Sequence, residues 1–133
     1  MNRRSFLALA AAATIAPAFQ GFAEDARPTH KNVNPDEFEK LSREPNTVIL
    51  DVRTPTEYAA GHIKGSIPIS YTAKDFDQKI KELDKSKTYL VHCASGTRSA
   101  KACDKLDALN IPKVYNLLGG IRAWEKAGKP VEK

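Results

Sequence analysis

Cys93 ends a strongly apolar run, Tyr89-Leu90-Val91, and opens a loop of small residues, Ala94-Ser95-Gly96-Thr97, that closes on Arg98. A helix-forming stretch follows at once. The order strand, cysteine, small loop, helix N-terminus surrounds a sulfur atom with unpaired backbone N–H groups and the positive end of a helix dipole, and both favour thiolate. A lone free cysteine is otherwise most often a small apolar core residue, but the loop position favours a nucleophile. Arg98 adds a guanidinium fork that could hold an oxyanion and help keep the sulfur anionic. It stands in a first helical turn, where the dipole disfavours a merely solvated cation. Cys93, Ala94, Ser95, Gly96, Thr97 and Arg98 therefore form a candidate nucleophile and anion cradle.

Three further groups bear on this site. Asp51 and Arg53 are two apart on a strand and share a face, either as an ion pair bracing the site or as a direct substrate contact. His92 precedes the cysteine on its strand, so its ring points to the opposite face and reads as a structural histidine, not a base for Cys93. Cys103 lies with Leu106 on an apolar helix face, more than a turn beyond the loop. A disulfide needs Cα atoms within about 7 Å, so this placement argues against a bridge to Cys93. His30, His62 and His92 show no metal-ligand spacing with the cysteines, and no glycine fingerprint for a nucleotide is present. The chain is expected to need neither metal nor cofactor.

The elements that must position these residues alternate along the chain. Thr47–Val52 and Thr88–His92 are β-branched or apolar nearly throughout, as strands buried on both faces are. Shorter strands are expected around Ile67 and Ile69 and over Lys113–Leu117. Helices are expected from Asn34-Pro35-Asp36-Glu37, over Thr54–Ala60 up to Gly61, over Asp75–Leu83, over Thr97–Leu109, and after Gly119-Gly120 through Ile121 and Trp124. Such alternation indicates an α/β domain on a parallel sheet. Ligands collect at the carboxyl ends of its strands, and both Asp51-Val52-Arg53 and His92-Cys93 lie at such ends.

The start of the 133-residue chain reads differently. Met1-Asn2-Arg3-Arg4 is basic, Ser5 to Ala18 is apolar and uncharged, and small residues follow at Ala16-Pro17-Ala18 and Gly21-Phe22-Ala23. Residues 1–23 read as a cleaved export signal, with an Asn2-Arg3-Arg4-Ser5-Phe6-Leu7 start like a twin-arginine signal; general secretory export is the alternative route. Cleavage is expected after Ala23, or else after Ala18. The apolar run is shorter than the roughly 20 residues of a membrane span, which disfavours a retained anchor. Export of this kind points to the periplasm. Residues 24–32, polar and containing Pro28, read as a flexible lead-in. Losing Arg3 and Arg4 from 21 basic residues leaves 19 against 16 acidic, a net charge of +3. That excess suits a small anionic substrate. It lacks the aromatic-interleaved basic stripe of a nucleic-acid binder, and no membrane partner is expected once the signal is removed.

With these residues in place, the chain resembles the rhodanese family of single-domain sulfurtransferases from about Val33 to Val131. Asp51-Val52-Arg53, Glu57-Tyr58, Gly61-His62-Ile63 and Gly65 look like its first signature. Cys93 to Ser99 looks like its active-site loop, and Gly119-Gly120, Ala123-Trp124, Ala127-Gly128 and Pro130-Val131 like its closing helix. The family often has Asn-Ile-Pro where this chain has Pro68-Ile69-Ser70, a difference at a local turn. The resemblance implies a five-stranded parallel sheet flanked by helices and a two-step reaction. Cys93 takes the outer sulfur of thiosulfate, or of a related small anionic donor, and sulfite leaves. A thiol, cyanide or a protein acceptor then removes the sulfur from the persulfide. Arg98 would orient the donor's sulfonate oxygens. A cysteine phosphatase has a similar loop, one residue longer between Cys and Arg. The four residues between Cys93 and Arg98 favour a cradle for one sulfur atom. A non-catalytic sulfur carrier or binding module is the remaining alternative.

Overall fold

The computed structural model describes residues 29–133. The leader and its cleavage sites lie outside the described residues. Five strands, β1 (Lys31–Val33), β2 (Thr47–Asp51), β3 (Ile67–Pro68), β4 (Thr88–His92) and β5 (Val114–Leu117), form one sheet. Its order is β1-β5-β4-β2-β3, and every pair is parallel. The helices are α1 (Pro35–Ser42), α2 (Pro55–Ala60), α3 (Phe76–Lys81), α4 (Thr97–Ala108) and α5 (Gly120–Lys126). None of the described helices is long and apolar enough to cross a membrane.

The central strands divide their side chains between two apolar layers, because successive residues of a strand face opposite ways. Ile49 and Leu90 join Val33, Leu117, Phe38 of α1, and Ile121 and Trp124 of α5 on one face. Leu50, Tyr89 and Val91 join Phe76 and Ile80 of α3 and Ala102, Cys103 and Leu106 of α4 on the other. Burial on both faces explains the near-continuous apolar sequences of β2 and β4. Local signals set the helix starts. Asn34 caps α1 through a 2.8 Å bond from the Glu37 N–H, with Pro35 in the first turn. At α2, Thr54 and Glu57 form a reciprocal capping box.

Two expectations from the sequence change. The lead-in expected through Asn32 ends sooner, because Lys31–Val33 pair with Tyr115–Leu117 as an edge strand. The Asn116 amide donates to Asn32 Oδ1 at 3.0 Å, and His30 Nδ1 lies 2.6 Å from Asp107 Oδ2 on α4. An edge strand with only Val33 buried carries almost no hydrophobic pattern, so its pairing was invisible. α3 is also shorter than the expected Asp75–Leu83. The Pro68-Ile69-Ser70 turn stays tied to β2, since the Ile69 and Tyr71 N–H groups donate to the Asp51 and Val52 carbonyls, each at 3.0 Å.

Phe38 is fully buried, with its ring 6.0 Å from Trp124 and 6.3 Å from His92, edge-on to both. Phe38→Ala is expected to cost about 3–5 kcal/mol in denaturant unfolding with an unchanged m-value. A cost under about 1 kcal/mol would show that this layer collapses around the cavity.

Candidate active site

β2 and β4 bring Asp51 and His92 opposite each other at their carboxyl ends. By strand parity His92 follows Leu90 onto the α1/α5 face, while Cys93 follows Val91 onto the α3/α4 face, as the alternation predicted. His92 is fully buried. Its Nδ1 lies 3.2 Å from the Cys93 carbonyl, which can only accept, so Nδ1 carries the proton. Nε2 stands 3.6 Å from Asp51 Oδ2. Burial pulls the ring below the ordinary histidine value, and the pull of Asp51 in the other direction is weaker. His92 is thus a neutral ring holding the backbone of the loop.

The Cys93 sulfur accepts from the Gly96 N–H at 3.0 Å. Burial works against its ionisation. Donors from the Ser99 hydroxyl and N–H and from the Gly96 and Ser95 N–H groups outweigh burial, and the thiol falls below its ordinary value. The Ser99 hydroxyl has one proton and two acceptors, the sulfur and the Gly96 carbonyl at 3.2 Å; a thiolate, as the charged acceptor, draws it more strongly. Gly96 turns the loop into α4 at φ 109°, a conformation that favours glycine.

The loop carbonyls are held from the other side. At the start of α5, the Ile121 N–H donates to the Cys93 carbonyl at 2.9 Å and the Arg122 N–H to the Ala94 carbonyl at 3.2 Å. A Cβ on Gly120 would fall 2.5 Å from the Ala94 carbonyl group and 2.6 Å from the Cys93 oxygen. The sequence marks Gly119-Gly120 as a turn into the last helix and as part of the family-like closing segment. The structure makes Gly120 the point where two backbones touch.

Asp51 and Arg53 form a brace. The Arg53 Nη2 donates to Asp51 Oδ2 at 2.7 Å, Nε reaches both carboxylate oxygens at 3.0 and 3.1 Å, and the Arg53 N–H reaches Oδ1 at 3.0 Å. Nη2 also donates to the Gly61 carbonyl at 2.7 Å. The pair is buried, with side chains 0 % and 7 % exposed, and its polar atoms are largely spent on the protein itself.

Arg98 is engaged in a way its own segment does not reveal. Its Nη1 and Nη2 donate to the two oxygens of Glu57 at 2.8 and 3.0 Å. The arginine lowers the Glu57 carboxyl to about 2, and Glu57 in turn raises Arg98. The fork expected to be free for a donor's oxygens is therefore occupied on that edge, leaving Nε–H and the outer N–H groups. Glu57 precedes Arg98 by 41 residues. The sequence marks it by a place in the first turn of α2 and in the family-like first signature, and neither names a partner on α4.

Cys103 is buried in the α3/α4 layer, where burial first and then Asp107 and Asp104 push its thiol upward. Both cysteines are free. One group of metal-ligand type does gather among the described residues, His30 with Asp104 and Asp107. It belongs to the far end of α4, roughly 15 Å along the helix from the Cys93 loop, and there His30 pairs with Asp107.

Gly120→Ala is expected to push α5 off the loop and loosen the N–H groups around the sulfur. Fewer donors stabilise the thiolate less, so the thiol pKa should rise. The pH profile of iodoacetamide alkylation, read by intact mass on a Cys103→Ser background, should shift upward. An unchanged profile would show that α5 does not set the loop.

Residues 34–127 match the family described as Rhodanese-like domain. A sulfurtransferase of Allochromatium vinosum is 31% identical over 93 residues, 70% of this chain and 85% of that protein. A tRNA uridine(34) hydroxylase of Cytophaga hutchinsonii is 36% identical over 109 residues, and the match spans only 35% of its length. The rhodanese-related protein of Thermoplasma volcanium superimposes with a TM-score of 0.69 at 34% identity, covering 77% of this chain and 98% of that one. The family match spans most of the chain and the fold superimposes on that of a rhodanese-related protein, and the chain belongs to the rhodanese-like domain family.

Proposed function

We propose that this domain is a sulfurtransferase that moves sulfane sulfur from thiosulfate, or a related small anionic donor, to a thiophilic acceptor through a persulfide on Cys93. The reading rests above all on the 3.0 Å bond from the Gly96 N–H to the Cys93 sulfur, in a loop whose carbonyls are drawn off to α5. A thiolate held this way needs no general base. Its electron pair forms a bond to the outer sulfur of the donor, and the pair of the broken S–S bond leaves with sulfite. The persulfide anion then keeps the same N–H donors until a thiol or cyanide takes its terminal sulfur. Arg98 reaches the donor's oxygens through the N–H groups that Glu57 leaves free. The four-residue spacing between Cys93 and Arg98 favours a single sulfur over a tetrahedral phosphoryl group. The basic and apolar leader supports export, and we place the mature protein in the periplasm.

Incubation with thiosulfate should add about 32 Da to the intact protein, and cyanide should remove it, as a covalent relay requires. Cys93→Ser should abolish both adduct and turnover, whereas Cys103→Ser should leave turnover near the wild-type rate. Full activity in Cys93→Ser, or faster hydrolysis of an aryl phosphate than use of thiosulfate, would overturn the reading. Exported protein should begin at Glu24 on N-terminal sequencing; an intact Met1 start would exclude cleavage.

A further inference from the structure

We propose that Glu57 sets the charge of the sulfur donor that Cys93 accepts, disfavouring doubly charged donors relative to singly charged ones with the same reactive group. The inference rests on the sulfurtransferase reading and specifies its substrate class. Arg98 is the cation at the end of the Cys93 loop, and both of its Nη atoms are bound to Glu57. Glu57 is fully ionised at any working pH, with its carboxyl held at about 2. The charge of Arg98 is therefore cancelled before a donor arrives. Asp51 and Arg53 cancel in the same way beneath the loop.

Helix capping does not account for this carboxylate. One oxygen, Oε1, takes both the Thr54 N–H at 3.1 Å and the Thr54 hydroxyl at 3.0 Å. A neutral glutamine oxygen could do the same. The second oxygen, Oε2, bonds Arg98 alone among the described residues. What the negative charge adds beyond a cap is neutralisation of Arg98. The ion pair is part-exposed, at 28 % for Arg98 and 34 % for Glu57, and Arg98 is near enough to Cys93 to feel the charge of its sulfur. Coulomb energy scales with the product of charges, and a dianion feels Glu57 twice as strongly as a monoanion does.

Thiosulfate and the methanethiosulfonate anion isolate this variable. Both present the same outer sulfur, and a methyl group in the second replaces one charged oxygen of the first. In each case the Cys93 electron pair forms the new S–S bond. The pair of the broken S–S bond departs with sulfite or with methanesulfinate, and neither a proton nor an oxidant is consumed. The quantity to measure is the ratio of kcat/KM for thiosulfate to that for methanethiosulfonate, with cyanide as acceptor in the full-length mature protein.

Glu57→Gln should raise the ratio roughly three- to tenfold, from one charge acting across a partly screened contact. Glu57→Asp, which keeps the charge and shifts the carboxylate, should stay near the wild-type ratio. Thr54→Ala, which breaks the capping box without touching the charge, should also stay there. A ratio that is unchanged or lower in Glu57→Gln, or one that rises equally in Glu57→Asp, overturns the inference and leaves Glu57 as a positioner of Arg98. Should Glu57→Gln fail to fold, Glu57→Ala carries the same expectation. Absence of turnover with both donors in the wild-type protein would instead overturn the sulfurtransferase reading.

Discussion

A peptide group points its N–H and its carbonyl in opposite directions, and the Cys93 loop depends on that fact. For its N–H groups to converge on a sulfur anion, its carbonyls must be satisfied elsewhere, since a buried carbonyl without a donor is costly. The first N–H groups of α5 supply that satisfaction at Cys93 and Ala94. They are themselves groups a helix start leaves unpaired. One contact thus resolves two local deficits and leaves the loop's N–H groups free to turn toward the Cys93 sulfur. The contact is close enough that position 120 has room for glycine alone.

Around this contact the charged residues work at two depths. The buried Asp51–Arg53 pair ties the end of β2 to the Gly61 carbonyl, and His92 holds the Cys93 carbonyl from the opposite sheet face. A buried pair of this kind is poor evidence for net stability, since desolvation consumes much of its attraction; its effect here is to fix geometry. The Arg98–Glu57 pair lies nearer to solvent and joins α2 to the first turn of α4. The two cysteines show what environment does to one functional group. Cys93, with several donors, drops below the ordinary thiol value, whereas Cys103, with burial and two nearby carboxylates, rises above it.

The Cys93 loop was legible because its signal is local. Strand, cysteine, small residues and helix start follow one another within a dozen positions, and period-two alternation alone assigns His92 and Cys93 to opposite faces. Apolar β2 and β4 announced a parallel sheet for the same reason, since burial on both faces leaves few polar positions between their ends. The edge strand β1 and the partner of Arg98 were not legible. A three-residue edge strand has one buried side chain, and an ion pair between α2 and α4 leaves no trace in the spacing of either segment.

The sequence by itself determined where the loop cysteine stands, which residues follow it in the loop, and that a parallel α/β scaffold presents them at strand ends. These follow from chain-local rules of periodicity, capping and turn chemistry. Tertiary structure alone decided that Gly120 touches the loop backbone, that Asp51 and Arg53 are spent on each other, and that Glu57 claims the fork of Arg98. Each of these joins segments far apart in the chain, and folding, through burial and backbone satisfaction, is what chooses among the possible partners.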